Sequence, residues 1–161
     1  MRKVVIIGSS GSGKSTLAKQ VAACLDLPYI PTDPLYWGEN WRRVPLAEVH
    51  RRIDIVTTQS QWILDGNFDD ARELVWERAD TFIWLDYSRA VVWSRLIRRN
   101  LGWWFASEPT WSGNRMTLAA ALSGIRRGLR GYGAKRRDYS VTLPLYKAHI
   151  FCFRRPRDTA A

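Results

Sequence analysis

Two cysteines and two histidines are all that this chain of 161 residues offers of the side chains that build metal clusters and disulfide frameworks. Cys24 and Cys152 stand far apart, with no C-x-x-C spacing and no histidine at ligand distance. That excludes a disulfide scaffold and a zinc module. Both cysteines read as small core residues of a protein kept reduced in the cytoplasm. No apolar run approaches the ~20 residues that a membrane helix needs. Gly102-Trp103-Trp104-Phe105-Ala106 is the most lipid-like stretch and is far too brief. The apolar part of Met1–Ile7 is likewise too short for a secretory leader. Repeats and low-complexity tracts are missing. Acid is scarce in one half only: residues 81–161 hold 15 Lys/Arg against 4 Asp/Glu, whereas residues 1–80 hold 10 against 11. Within 89–137, Glu108 faces 11 basic residues. Such a block suits nucleic acid, an acidic membrane face, or the phosphates of a bound nucleotide. No recognised nucleic-acid motif accompanies it. A hydrophobic share of 46% with nine tryptophans excludes a disordered chain, and the length fits one domain with a substantial core.

What the chain does have stands near its start. Gly8-Ser9-Ser10-Gly11-Ser12-Gly13-Lys14-Ser15 follows the apolar run Val4-Val5-Ile6-Ile7 and matches G-x-x-x-x-G-K-[ST] between a strand and a helix. The glycines let the backbone curl so that successive N–H groups point at phosphate oxygens, and the following helix adds its positive N-terminal dipole. Lys14 would reach the β- and γ-phosphates, and the Ser15 hydroxyl would ligate Mg²⁺. Gly8, Ser9, Gly11, Ser12, Gly13, Lys14, Ser15 and Thr16 therefore form a candidate ATP-binding loop. The plainer alternative is a Gly/Ser-rich turn.

Period and punctuation predict an alternating chain of strands and helices. Strands are expected over about 2–7, 29–32, 62–65, 81–86 and 149–153. Helices are expected from about Lys14 to Leu25, Leu46 to Ser60, Ala71 to Glu77, Ala90 to Asn100 and Met116 to Leu129. Arg130 to Asp138 reads as a basic, glycine-bearing segment, and the alternation calls for one more helix after the fifth strand. This pattern implies an α/β fold with a parallel sheet covered by helices on both faces. Ligands of such sheets lie beyond the carboxyl ends of the strands, where Asp33, Asp65 and Asp86 would gather.

Phosphoryl transfer asks for positioning and for positive charge around the transferred group. Asp65 is the candidate that holds magnesium with Ser15. Asp33 is placed to orient or deprotonate an acceptor hydroxyl. For each, the plainer role is a helix cap or turn residue, and Asp86 has the same alternative. Arg95 and Arg99 lie one helical turn apart and share a face that would clamp phosphates or stack on a purine, or else form a solvated basic face. Trp37 and Trp41 would wall an acceptor pocket or simply pack. His50 reads as a helix-surface residue, and His149 as the edge of a strand.

Gly8–Thr16, Asp33-Pro34-Leu35-Tyr36-Trp37, Trp62-Ile63-Leu64-Asp65-Gly66-Asn67-Phe68 and Asp80–Tyr87 with Arg95 and Arg99 together resemble the FlaR-like "DNA topology modulation" proteins. These belong to the adenylate-kinase-like P-loop kinases. The resemblance spans about residues 2–157. It implies a nucleoside-kinase-like three-layer αβα fold with a five-stranded parallel sheet and an Arg/Trp-rich helical lid. In that arrangement residues 1–100 and 146–161 are the core of a single domain, and about 101–145 are the lid. It further implies that Arg95 contacts the donor base or phosphates and that Arg99 neutralises the transferred group. Trp111-Ser112-Gly113-Asn114-Arg115 resembles a segment of the same family, with Arg115 as a lid arginine. Arg155 and Pro156 fall where such kinases cradle adenine. The acceptor half departs from the wider group: Asn67-Phe68-Asp69 replaces a Phe-Pro-Arg, leaving Arg72 as the stand-in for a phosphate-gripping arginine.

These readings give catalytic candidates Lys14, Asp33, Asp65, Arg95 and Arg99, and cofactors ATP and Mg²⁺. The expected activity is transfer of the γ-phosphoryl group to a small acceptor, with a nucleotide among the candidates. The alternative is an ATP-binding, nucleic-acid-associated regulator without metabolic kinase activity. The expected partners are a small-molecule acceptor and no membrane, with nucleic acid less favoured, in a monomer or homodimer.

Overall fold

The computed structural model describes residues 1–39, 42–106 and 117–159. Trp41, Glu108 and the segment from Trp111 to Arg115 lie outside the described residues. Five parallel strands form one sheet in the order β2-β3-β1-β4-β5. They are β1 (Lys3–Gly8), β2 (Tyr29–Pro31), β3 (Trp62–Asp65), β4 (Thr81–Leu85) and β5 (His149–Phe153). The helices are α1 (Lys14–Leu25), α2 (Asp33–Tyr36), α3 (Leu46–Thr57), α4 (Arg72–Trp76), α5 (Arg89–Ala106) and α6 (Leu118–Thr142).

β1 is central because Val4, Val5, Ile6 and Ile7 are apolar on both faces, which suits a strand roofed and floored by helices. Alternation along it sorts the core into two clusters. Val5 and Ile7 pack with Val49 and Ile53 of α3, Val75 and Trp76 of α4, and Phe82 of β4. Val4 and Ile6 pack with Ala18 of α1, Ile83 of β4 and Val92 of α5. The result is a three-layer α/β architecture with helices on both faces of the parallel sheet, as expected. Trp76 holds the first cluster together, its ring centroid 5.1 Å from Phe82, 5.9 Å from Tyr139 and 5.4 Å from Tyr146. Each such pair adds about 0.5–1.5 kcal/mol beyond area burial.

α6 differs most from expectation. It runs unbroken through Gly131 and Gly133 to Thr142, where a break near Leu129 was expected. Interior glycine costs a helix roughly 1 kcal/mol against alanine, so local preference does not hold this segment straight. Tertiary anchors do. Tyr132 is buried in one cluster and Tyr139 in the other, so α6 crosses from one face of the sheet to the other. Between them Arg136 pairs with the buried Asp86 just past β4 at 2.7 Å. Lys135 reaches Asp69 at 3.0 Å, and Asp138 holds Arg72. Gly128 allows the close approach to α5, since a Cβ there would stand 2.5 Å from Leu96 Cδ2. Of the 101–145 span, residues 101–106 thus extend α5 and 118–142 form this anchored helix.

The cysteines correct the reading of both as core residues. Cys24 and Cys152 are exposed. Ala18 is the one buried residue of α1, and Cys24 falls on the solvent side of that helix. Cys152 lies on the edge strand β5, whose neighbours Ile150 and Phe151 are 39% and 45% exposed. Among the described residues no helix is long and apolar enough to cross a membrane.

Candidate active site

The loop after β1 closes around its own lysine. Gly13, at φ 96°, caps α1, and Ser12 N donates to Ser9 O at 3.1 Å. Gly11 (φ 91°) tolerates no side chain, because a Cβ would lie 2.7 Å from the Val92 carbonyl of α5. Lys14 Nζ donates to Gly8 O at 3.0 Å and to Ser9 O at 3.2 Å. Burial lowers the Lys14 pKa to about 8, with the charge of Asp65 opposing that shift. An ammonium desolvated in this way gains most from an arriving polyanion. In the same loop Ser12 Oγ is buried without a hydrogen-bond partner among the described residues.

Beside it stand two carboxylates. Asp65, 8% exposed at the end of β3, accepts from Ser15 Oγ at 2.5 Å through Oδ2 and from Tyr29 Oη at 2.9 Å through Oδ1. The parallel register pairs Tyr29 with Ile63, so its ring reaches diagonally to Asp65 on the same face. This contact went unread in the sequence. Burial pushes the Tyr29 pKa up, and the charge and hydrogen bond of Asp65 add to the rise. Asp33 opens α2. Burial raises its pKa, the Asp65 charge adds to the rise, and Lys14 and Arg99 oppose it.

α5 supplies the arginines. Arg95 Nη1 donates to Ser12 O at 3.4 Å and lies 5.7 Å from the Tyr87 ring centroid. Arg99 Nη2 donates to Ser10 Oγ at 3.1 Å and lies 4.8 Å from the Trp103 ring. Desolvation lowers the Arg99 pKa, with Asp33 opposing.

Two cavities open onto these groups. One of about 890 Å³ is lined by Gly11 to Thr16, Tyr87, Arg95, Pro156 and Thr159. The other, of about 610 Å³, is lined by Trp37, Arg43, Asn67, Asp69, Asp70, Arg127 and Lys135. They share Lys14, Ser15, Thr32, Asp33, Asp65, Arg99 and Trp103. Arg155, by contrast, is exposed and lines neither, donating its backbone N–H to Asp158. Arg72 also lines neither; its guanidinium forks onto Asp138 and lies 4.8 Å from the Trp76 ring. Asn67, with its amide oriented to satisfy both ends, donates to Gly8 O at 2.9 Å and to Tyr139 Oη at 2.7 Å. Its Oδ1 accepts from Lys135 Nζ at 2.5 Å.

These residues fit a nucleoside triphosphate with magnesium. Lys14, the inward-turned loop and Ser12 Oγ suit phosphate oxygens. Ser15 Oγ and Asp65 are hard oxygen donors, the kind Mg²⁺ takes together with phosphate and water. Among the described residues no group of three or more His, Cys, Asp or Glu could hold a metal by itself.

No family model matches the chain. A cytidylate kinase of Desulforamulus reducens is 34% identical over 83 residues, covering 44% of this chain and 37% of the relative's own length. Among solved structures, shikimate kinase from Aquifex aeolicus superposes over 96% of this chain and 88% of its own, with a TM-score of 0.51 and 14% identity. A gluconokinase from Sinorhizobium meliloti covers 96% and 84%, with a TM-score of 0.53 and 19% identity. The chain has the fold of the P-loop kinases. The sequence match to the cytidylate kinase spans little more than a third of that protein.

Proposed function

We propose that this protein is an ATP-dependent, magnesium-requiring phosphotransferase acting on a small-molecule acceptor. The supporting observation is the meeting of two cavities over one shared set of residues: Lys14, Ser15, Asp33, Asp65 and Arg99. The first cavity contains the phosphate loop and is the donor side. Its Tyr87, Arg95, Pro156 and Thr159 would receive the base. The second is the acceptor side. Lys14 and Arg99 stabilise negative charge on the transferred group, and Asp65 with Ser15 would hold Mg²⁺, which supplies further neutralisation of phosphate charge. Asp33 faces the acceptor and holds or takes its proton. Assignment to the FlaR-like branch rests on the D-P-L-Y-W and L-D-G-N segments.

The nucleic-acid reading has charge as its support. Part of that charge is already engaged: Lys135 and Arg136 pair with Asp69 and Asp86, and Arg95 and Arg99 reach the phosphate loop. The test is ADP release from ATP with purified protein across a panel of small acceptors, with Lys14→Ala as the control. Acceptor-stimulated release lost in Lys14→Ala supports the proposal. A protein that binds ATP and releases no ADP with any acceptor refutes it.

A further inference from the structure

We infer that the acceptor is an anionic alcohol: the γ-phosphoryl group goes to a hydroxyl of a small molecule whose negative group sits against Arg127, rather than to the phosphate of a nucleoside monophosphate. This rests on the kinase reading above and names its substrate class.

The inner wall of the second cavity argues for a hydroxyl. Asp33 lines both cavities, and its carboxylate accepts no hydrogen bond among the described residues. An acceptor phosphate there would place a dianion beside Asp33 and Asp65, a juxtaposition of like charges that needs added guanidinium groups to offset it. The segment after Asp65 supplies none. Asn67 is engaged by Gly8, Tyr139 and Lys135, Phe68 is buried, and Arg72 is forked onto Asp138 outside the cavity. Lys14 and Arg99 line this cavity as well, but both are hydrogen-bonded to the phosphate loop that receives the donor. An alcohol inverts this balance, because it needs a base for its proton and Asp33 is a carboxylate at the junction with no hydrogen bond among the described residues. The step then closes: the hydroxyl oxygen bonds to the γ-phosphorus as the bond to the β,γ-bridging oxygen breaks. ADP leaves with that electron pair, and the proton passes to Asp33.

The outer wall argues for an anion. Besides the shared Lys14 and Arg99, three cations line this cavity: Arg43, Arg127 and Lys135. Asp70 offsets Arg43 at 2.5 Å, and Asp69 offsets Lys135 at 3.0 Å. Arg127 has no acid partner among the described residues, so one positive charge remains for a ligand. A carboxylate and a phosphate ester meet that demand equally, and Arg is suited to both.

The test runs ADP release in four arms: hydroxy acids, phosphate esters of polyols, neutral polyols and sugars, and nucleoside monophosphates. ³¹P NMR then distinguishes a phosphate monoester product from a phosphoanhydride. The expected result is turnover in the first or second arm with a monoester product. Arg127→Glu should then raise the acceptor KM by about tenfold or more with the ATP KM held, and Asp33→Asn should lower kcat by ~100-fold. Turnover confined to neutral polyols, or a phosphoanhydride from the monophosphates, overturns the inference and leaves the kinase reading standing. Turnover with an anionic alcohol that is indifferent to Arg127→Glu overturns the assignment of the anion site. No turnover in any arm overturns the kinase reading and this inference with it.

Discussion

Tyr29 Oη donates to Asp65 Oδ1 at 2.9 Å, which leaves Oδ2 to accept from Ser15 Oγ at 2.5 Å. One carboxylate is thereby fixed by a neighbouring strand on one side and presented to the phosphate loop on the other. Outer groups that orient a ligand of a metal typically carry 10–100-fold of its affinity.

Tyr29→Phe should therefore weaken the proposed magnesium site at Ser15 and Asp65 while leaving the fold in place. Among the described residues the lost hydroxyl leaves Oδ1 with the Thr32 N–H at 3.5 Å. The expected outcome is a rise of roughly tenfold or more in the Mg²⁺ concentration giving half-maximal activity, with ATP affinity in the absence of metal unchanged. Titration of activity against Mg²⁺ at saturating ATP checks it, and an unchanged midpoint would show that Tyr29 does not position Asp65.

Lys14 predicts a pH dependence of nucleotide binding. Burial holds the ammonium pKa at about 8, below the 10.5 of a free lysine. Above pH ~8 the free protein carries a neutral amine there. Phosphate binds the charged form, so binding must first restore a proton, and ATP affinity falls about tenfold per pH unit beyond that point. The linkage to folding has the opposite sense: the unfolded chain holds this proton up to about 10.5, so this group's contribution to stability rises with pH between about 8 and 10.5. Isothermal titration of a non-hydrolysable ATP analogue between pH 7 and 9.5 reads the first effect. Lys14→Arg keeps the charge throughout and should flatten the profile.

Two glycines of one helix should respond to alanine with opposite signs. A Cβ on Gly131 meets nothing within 4 Å, so Gly131→Ala gains helix propensity of about 0.5–1 kcal/mol and raises Tm by roughly 1–4 °C. A Cβ on Gly128 meets Leu96 Cδ2 at 2.5 Å, and Leu96 is 1% exposed, so its side chain must repack within the core to yield. Overpacking of that kind costs about 1–3 kcal/mol, which exceeds the propensity gain and lowers Tm. Gly128→Ala combined with Leu96→Val should recover part of the loss. Thermal unfolding of the four proteins decides it.

The same helix shows where sequence reading succeeds and where it stops. β1, β3 and β4 were legible because two-sided apolar runs such as Val4–Ile7 are a local signal of a buried parallel strand. The P-loop was legible because its chemistry is contiguous. α6 beyond Leu129 was not, since Gly131 and Gly133 argue locally against a helix. What sustains it is distant in sequence: Arg136 on Asp86, Asp138 on Arg72, and Tyr139 within the core. Tyr29, Asn67 and the engagement of Arg72 were hidden for the same reason. Each depends on register or on a partner many residues away.

Arg95 and Arg99 test whether the two cavities have the separate roles assigned to them. They share one face of α5, yet Arg95 lines only the donor cavity and Arg99 lines both. A group confined to the donor side acts on ground-state and transition-state phosphates alike, so Arg95→Ala should raise the ATP KM with little change in kcat. In the proposed reading Arg99, which lines both cavities, faces the point where charge develops between donor and acceptor. Arg99→Ala should instead lower kcat by about 10²–10³-fold, the usual worth of one transition-state contact, with the ATP KM altered far less. Steady-state kinetics of the two variants with the acceptor that stimulates ADP release supply the comparison. If Arg99→Ala turned over like the parent, or if both variants changed only the ATP KM, the junction of the cavities would not be the place of transfer.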